Sequence, residues 1–365
     1  MPGADAALLG QEARGCYTKP MQDSLPTRLS RVPAPALPPS AAIEQAIDHS
    51  VRYLASAEAL TSIAADTYWP KWHSPWWHMV LLHELGEARR IPERLALAMV
   101  DGLSALPIRI FPIHPGDAPS GSDPHRDSSC HCALGCMYQV LSARGLDVDA
   151  VLPWVKPRFV RYQMADGGLS CDATAYLQAD ECASSMVGTV APFEAMLCGA
   201  PGTWTSDQRT FLARAAGFLI ERRLVLGSQT RHNAEERDAQ AAWLLPCRPR
   251  FYLYDVVRGL GALVRWAEAT EAALPRHAVT PAVEHLVAAF PDGVIRLQRH
   301  AFAGVTTMRR TTDGTWARRQ PATSFPLLEA TSTIGAACPY ATREWTAARQ
   351  GLLRLIDAGR LTADA

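Results

Sequence analysis

The chain has 365 residues, of which 48% are hydrophobic and 20% charged, enough apolar material for a large core and too little charge for wholesale disorder. Lys plus Arg and Asp plus Glu both number 36, so the formal net charge is zero and neither nucleic acid nor an anionic membrane is favoured as the main partner. No apolar run approaches the roughly 18 residues of a membrane span, and MPGADAALLGQEARG at the start lacks the basic region and apolar core of a secretory signal. Cytoplasmic location is therefore expected, and the nine cysteines are read as reduced thiols, some of them metal ligands, rather than as a disulfide framework.

Residues 1–41 hold Pro33, Pro35, Pro38 and Pro39 among alanines, which makes a poor helix and no strand. They are expected to form an irregular leader before a single domain over 42–365. From there apolar residues recur at spacings of three and four, which predicts helices over 43–57, 76–87, 92–106, 133–143, 150–163 and 183–197. The pattern continues over 207–226, 254–268, 280–289, 325–337 and 342–358, and period-two alternation is nearly absent. The expected fold class is all-α.

Strongly apolar helices alternate with amphipathic ones. WWHMVLLHELG, CALGCMYQVLSARG, SSMVGTVAPFEAML, YDVVRGLGALVRWAE and SFPLLEATSTIGAA belong to the first kind. PERLALAMVDGL, DAVLPWVKPRFVRYQ, DQRTFLARAAGFLIERR, TPAVEHLVAAF and REWTAARQGLLRLID belong to the second. Helices apolar on every side must be buried and amphipathic ones must cover them, so the hairpins predict an open solenoid or a closed ring of two concentric layers. Asp-Gly turns after two of the outer helices require Gly167, Gly168 and Gly293 to supply positive φ.

The order of WPKWHSPWWHMVLLHELGEARRIP, CALG with ARGLDVDAV, DGGLSC and RPRFYLYDVVRGLGAL resembles the α/α-toroid superfamily of squalene–hopene cyclases and protein prenyltransferase β-subunits. The bacterial squalene-cyclase-like proteins of uncertain function are more similar still, from about residue 50 onward. The resemblance implies an α/α toroid of five to six hairpins around a central cavity. It also implies zinc, which prenyltransferases hold through an Asp-x-Cys pair and a later histidine. Asp180-Glu181-Cys182 is similar to that pair, whereas FYLYD lacks the histidine and offers Asp255 in its place. The acid motif DxDD of hopene-type cyclases, DDxxD and the Cys-His-Gly zinc motif of lanthipeptide cyclases are absent; LDVDA at Asp147 and Asp149 starts an outer helix.

In such a ring the inner helices run parallel and their N-termini share one rim, which gathers Cys132, Cys182 and Asp255, with Cys171 just beyond the DGG turn. Soft thiolates with a carboxylate suit zinc, ahead of iron or an iron–sulfur cluster, and helix N-termini favour thiolate over thiol. Against this stands the habit of cysteine to pack as a small buried hydrophobe. Cys132, Cys171, Cys182 and Asp255 are the metal candidates. Asp255, Asp180, His131 and Tyr254 are the candidate catalytic groups.

HRDSSCHCALGC adds His125, Cys130 and Cys136, with no standard zinc spacing and with Cys136 expected in the core. Trp76, Trp77, His78 and Tyr252 are candidate walls for substrate, set against the role of indoles as core plugs. Together these predict a zinc-dependent transferase or cyclase acting on a small, partly apolar substrate in the central cavity. A metal-free cyclase or lyase with aromatic walls and an acid, and a non-enzymatic binding protein with a structural metal, are the alternatives.

Overall fold

Every residue from His131 to Leu141 is buried, and so is every residue of helix Met186–Met196 except Val187. Sequences apolar on all sides leave no face for water, so these two helices pack on each other at the centre. Their backbones approach closely: a Cβ on Gly135 would lie 2.5 Å from the Ala191 carbonyl carbon. In this computed structural model, residues 24–107, 120–121 and 127–363 are described. They form a mostly helical molecule.

Three more helices extend the centre. Pro75–Glu84 packs on His131–Arg144, Val256–Thr270 packs on Met186–Met196, and Pro339–Asp357 packs on Val256–Thr270. Amphipathic helices cover them. Ser206–Glu221 buries Phe211, Leu212, Ala215, Ala216, Phe218 and Leu219, the three-and-four spacing of one apolar stripe, and begins at a capping box between Thr205 and Gln208.

The predicted helices shift mainly where the chain has proline or a cap. The helix expected over 150–163 is two pieces, Val148–Val151 and Val155–Arg161, divided around Pro153. That expected over 183–197 begins only at Met186, because Ser185 caps it by accepting from the Gly188 N–H. The helix expected over 325–337 spans only Pro326–Thr331, and Ala57–Ala65 and Ala234–Trp243 are helices outside the expected set.

Strand structure is confined to an antiparallel hairpin, Thr306–Arg310 with Trp316–Pro321, and a two-residue parallel pair, Leu274–Pro275 with Leu361–Thr362, among the described residues. Within the expected leader, Leu25–Arg31 is a helix with Leu29 buried, and Arg349 donates to the carbonyls of Leu29 and Pro33.

Of the three turn glycines, Gly167 and Gly293 have φ of +90° and +76°, as expected. Gly168 is a correction. It lacks positive φ, and its constraint is space, since a Cβ there would stand 2.7 Å from the Ser184 Cβ.

Candidate metal centre

Cys130 is the N-cap of helix His131–Arg144 and Cys132 lies in its first turn. The Asp-Gly-Gly turn and the residues after it run back past this helix start and deliver Cys171. The sulfurs of Cys130, Cys132 and Cys171 all lie within 4.8 Å of one another, and Cys130 Sγ is 3.3 Å from Cys132 Sγ. The Cys132 N–H donates to Cys171 Sγ at 3.3 Å.

Charge in the cluster is shared unequally. Hydrogen bonds from Cys132 and then Cys171 hold the Cys130 thiol well below its ordinary range, against the effect of burial. The same contact with Cys130 pushes Cys132 and Cys171 well above theirs. Of the three neighbouring sulfurs, Cys130 is thus the most acidic. A divalent cation bound there would displace thiol protons and favour the ionised sulfurs.

The spacing fits one ion. Tetrahedral zinc with bonds of about 2.3 Å places its sulfurs about 3.8 Å apart, inside the observed envelope. Three protein ligands leave a fourth position for water or substrate, the pattern of catalytic zinc sites. These three cysteines could therefore hold a metal.

Two buried cations lie near the sulfurs. Lys71, 8% exposed, donates to Tyr252 Oη at 2.9 Å and lies 5.0–5.5 Å from the ring centres of Tyr68, Trp69, Trp72 and Tyr252. Burial lowers its pKa, and Cys130 and Cys132 oppose that shift. Buried Arg158 donates to the Ser129 carbonyl at 2.6 Å, and the nearby Cys130 again opposes the effect of burial. Neither cation was a candidate from sequence. In the sequence Cys130 belongs to a cluster of no standard zinc spacing; its signal is a Cys-x-Cys straddling a helix start.

The other candidates are placed elsewhere. Cys182 is not part of the cluster. Asp180 pairs with Arg231, and Glu181 accepts from the N–H groups of Arg231 and His232 at 2.8 Å, which anchors this segment to the 231–232 turn. Cys182 lies instead beside Asp166, and burial raises its pKa. Asp180 is a surface ion pair, 65% exposed at its side chain, so neither it nor Cys182 joins the sulfurs.

Asp255 is also removed from the metal set. It caps helix Val256–Thr270 and accepts from the N–H groups of Arg258 and Cys247 and from Arg250 Nη1, at 2.9, 3.1 and 3.1 Å. A carboxylate committed to three donors has little left for a cation. Tyr254 is buried and donates to the Leu224 carbonyl at 2.8 Å, a structural bond, although it lies in the wall of a cleft that also contains Cys171.

His131 is fully buried among Phe159, Tyr162 and Tyr176, and burial, then Arg158, pushes its pKa well down, so it is neutral. His125 lies outside the described residues. Cys136, one turn along from Cys132, donates to the Phe251 carbonyl and accepts from Arg258, and burial raises it to about 11.

Trp76 and Trp77 are core, at 2% and 0% exposure. Trp77 meets Trp72 edge-on at 4.5 Å, and Trp72 stacks on Phe251 at 4.8 Å. His78 is also core, stacked on Phe325 at 3.8 Å with Nδ1 3.1 Å from Ser50 Oγ. Only Tyr252 among the four expected wall residues stands beside the cysteines, through Lys71.

The cleft beside Cys171 has a volume of about 500 Å³ and carries both polar groups (Asp172, Asn233) and apolar ones (Val187, Trp243, Leu253). At its edge His232 Nε2 lies 2.8 Å from Asp172 Oδ2.

No family model, curated protein or solved structure matches this chain.

Proposed function

We propose that the chain is a zinc enzyme of small-molecule metabolism, a transferase or cyclase, whose metal is held by Cys130, Cys132 and Cys171. The observation that carries this reading is the convergence of three sulfurs from two separate segments within 4.8 Å, with two buried cations beside them. Three thiolates around a divalent ion leave one negative charge, which Lys71 and Arg158 offset. When bound, the zinc would act as a Lewis acid or activate a thiol or water at its fourth position.

The residues around it supply the rest. The aromatic rings facing Lys71 lower the polarity around its amine, and Tyr252 holds that amine in place by accepting its hydrogen bond. A small, partly apolar substrate would occupy the cleft beside Cys171. The fold proposed is an α/α toroid. It is supported by five helices that pack in sequence and that all contribute to the wall of one internal cavity. A cytoplasmic location agrees with eight free cysteines among the described residues.

Elemental analysis of the purified chain tests the metal. About one zinc per chain is expected, retained in Cys182→Ser and lost in Cys132→Ser and Cys171→Ser. Cobalt substitution should give thiolate-to-metal charge transfer. A wild-type protein without zinc or another transition metal would end the proposal. If Cys171→Ser loses the metal and unfolds, the metal is structural and the non-enzymatic alternative is favoured.

A further inference from the structure

Three other cysteines give their thiols to oxygen acceptors: Cys136 to the Phe251 carbonyl, Cys198 to the Glu194 carbonyl and Cys247 to Asp255 Oδ2. Cys130 and Cys132 differ. Their sulfurs meet each other at 3.3 Å, with the Cys171 sulfur within 4.8 Å of both. Two thiols in contact can do what a single one cannot: lose two electrons together and become a disulfide.

The helix start produces this contact. Cys130 is the N-cap, with extended backbone at φ −71° and ψ 164°, and Cys132 lies in the first turn, so both side chains leave the same end of the helix and converge. A disulfide holds its sulfurs about 2.0 Å apart, so closing the observed gap takes an approach of about 1.3 Å, within reach of side-chain rotation. A link between residues two apart is a strained closure, and strained disulfides are the readily reduced ones. A reversible link suits a chain whose eight described cysteines are all free. Access sets the order of events: Cys130 is half-buried and Cys132 is 4% exposed, so a small oxidant meets Cys130 first.

We propose that Cys130 and Cys132 are an oxidation site that a hydroperoxide converts to a disulfide, and that the conversion discharges the metal wherever it is bound. The discharge rests on the metal reading above; the disulfide does not. The Cys130 sulfur attacks a peroxide oxygen: an S–O bond forms, the O–O bond breaks, and the leaving alkoxide takes the thiol proton and departs as the alcohol. The Cys132 sulfur then attacks the Cys130 sulfur: the S–S bond forms, the S–O bond breaks, and hydroxide takes the Cys132 proton and departs as water. The two thiols lose two electrons and the hydroperoxide gains them. Two of the three ligand positions then carry no ionisable sulfur, and Cys171 alone cannot hold the ion. A dithiol reverses the change by thiol–disulfide exchange.

The test treats the full chain, as purified, with tert-butyl hydroperoxide, then blocks free thiols by alkylation under denaturing conditions and cleaves with trypsin. The peptide 127–144 carries Cys130, Cys132 and Cys136; it is expected to lose about two mass units and two alkylation sites, with fragmentation placing the link between Cys130 and Cys132. Zinc release, read with a coloured chelator, should follow the same time course, and dithiothreitol should reverse the link. Cys130→Ser and Cys132→Ser should form no link within this peptide, and Cys182→Ser should behave as the wild type. A link in a wild-type chain that holds no metal would leave the thiol pair standing and end the metal reading. A metal-bearing chain whose peptide stays reduced both with its metal and after chelation, forms its link only to Cys171, or keeps its metal once linked would overturn this inference and leave the metal reading intact.

Discussion

Two regions of the central helices handle buried charge in opposite ways. Around the internal cavity each acidic group is matched: Arg258 with Glu194, Arg250 with Asp255 and Glu344, Arg248 with Glu84 and Glu344. At the cysteines three weaker acids meet, and their contacts push Cys132 and Cys171 well above the ordinary thiol range. The first arrangement pairs its charges within the protein. The second brings together sulfurs that could hold a cation, which is why the cysteines and not the larger charge network are the candidate metal site.

Among substitutions, breaking the paired network should have the largest effect. Glu344→Ala takes one acceptor from buried Arg248, which keeps Glu84, and one from buried Arg250, which keeps Asp255; because Glu344 is partly exposed, a loss of roughly 2–3 kcal/mol in urea denaturation is expected. A loss under about 1 kcal/mol would show that water already solvates these arginines.

Acid should act next, through a histidine that belongs to neither region. Burial, then the nearby His49 and His73, pushes His78 down to about 3. Its folded value lies below its unfolded one, so the neutral form contributes stability that is complete above about pH 6.5 and is lost as pH falls through about 3. Roughly 3 kcal/mol of that should be gone by pH 4. The slope of stability against pH between 6.5 and 4 should flatten in His78→Gln, and an unchanged slope would refute the assignment. Glu344, which burial raises but Arg248 and Arg250 bring down to about 2, keeps its charge over that window.

Smallest is the effect at the residues that sequence placed with the metal. Asp180→Asn should change stability by less than about 1 kcal/mol, because Asp180 and Arg231 form an exposed pair. Its zinc content should equal that of the wild type. A fall in zinc would return Asp180 to the ligand set and blur the contrast between the two regions.

Several features were legible before any coordinates. Helix positions followed from apolar spacing, because burial on one stripe or on all sides is a local property of the text. Cysteines near helix starts marked the region, and two of the four proposed ligands, Cys132 and Cys171, do meet in a cluster that could hold a metal. Cys182 and Asp255 lie outside the cluster for different reasons. The segment before Cys182 is anchored to the 231–232 turn and its helix starts only at Met186, whereas Asp255 is spent on capping and on Arg250.

Composition and periodicity alone determined that this chain would be helical, with apolar helices covered by amphipathic ones. Tertiary structure decided which thiols are neighbours, that Lys71 and Arg158 stand beside them, and that the internal cavity is lined with paired charge instead of aromatic rings. The reason is one of range. Burial is set by residues three and four apart, whereas a metal site or an ion-pair network depends on side-chain positions to within an ångström across segments tens to hundreds of residues apart, and only the packed helices fix those.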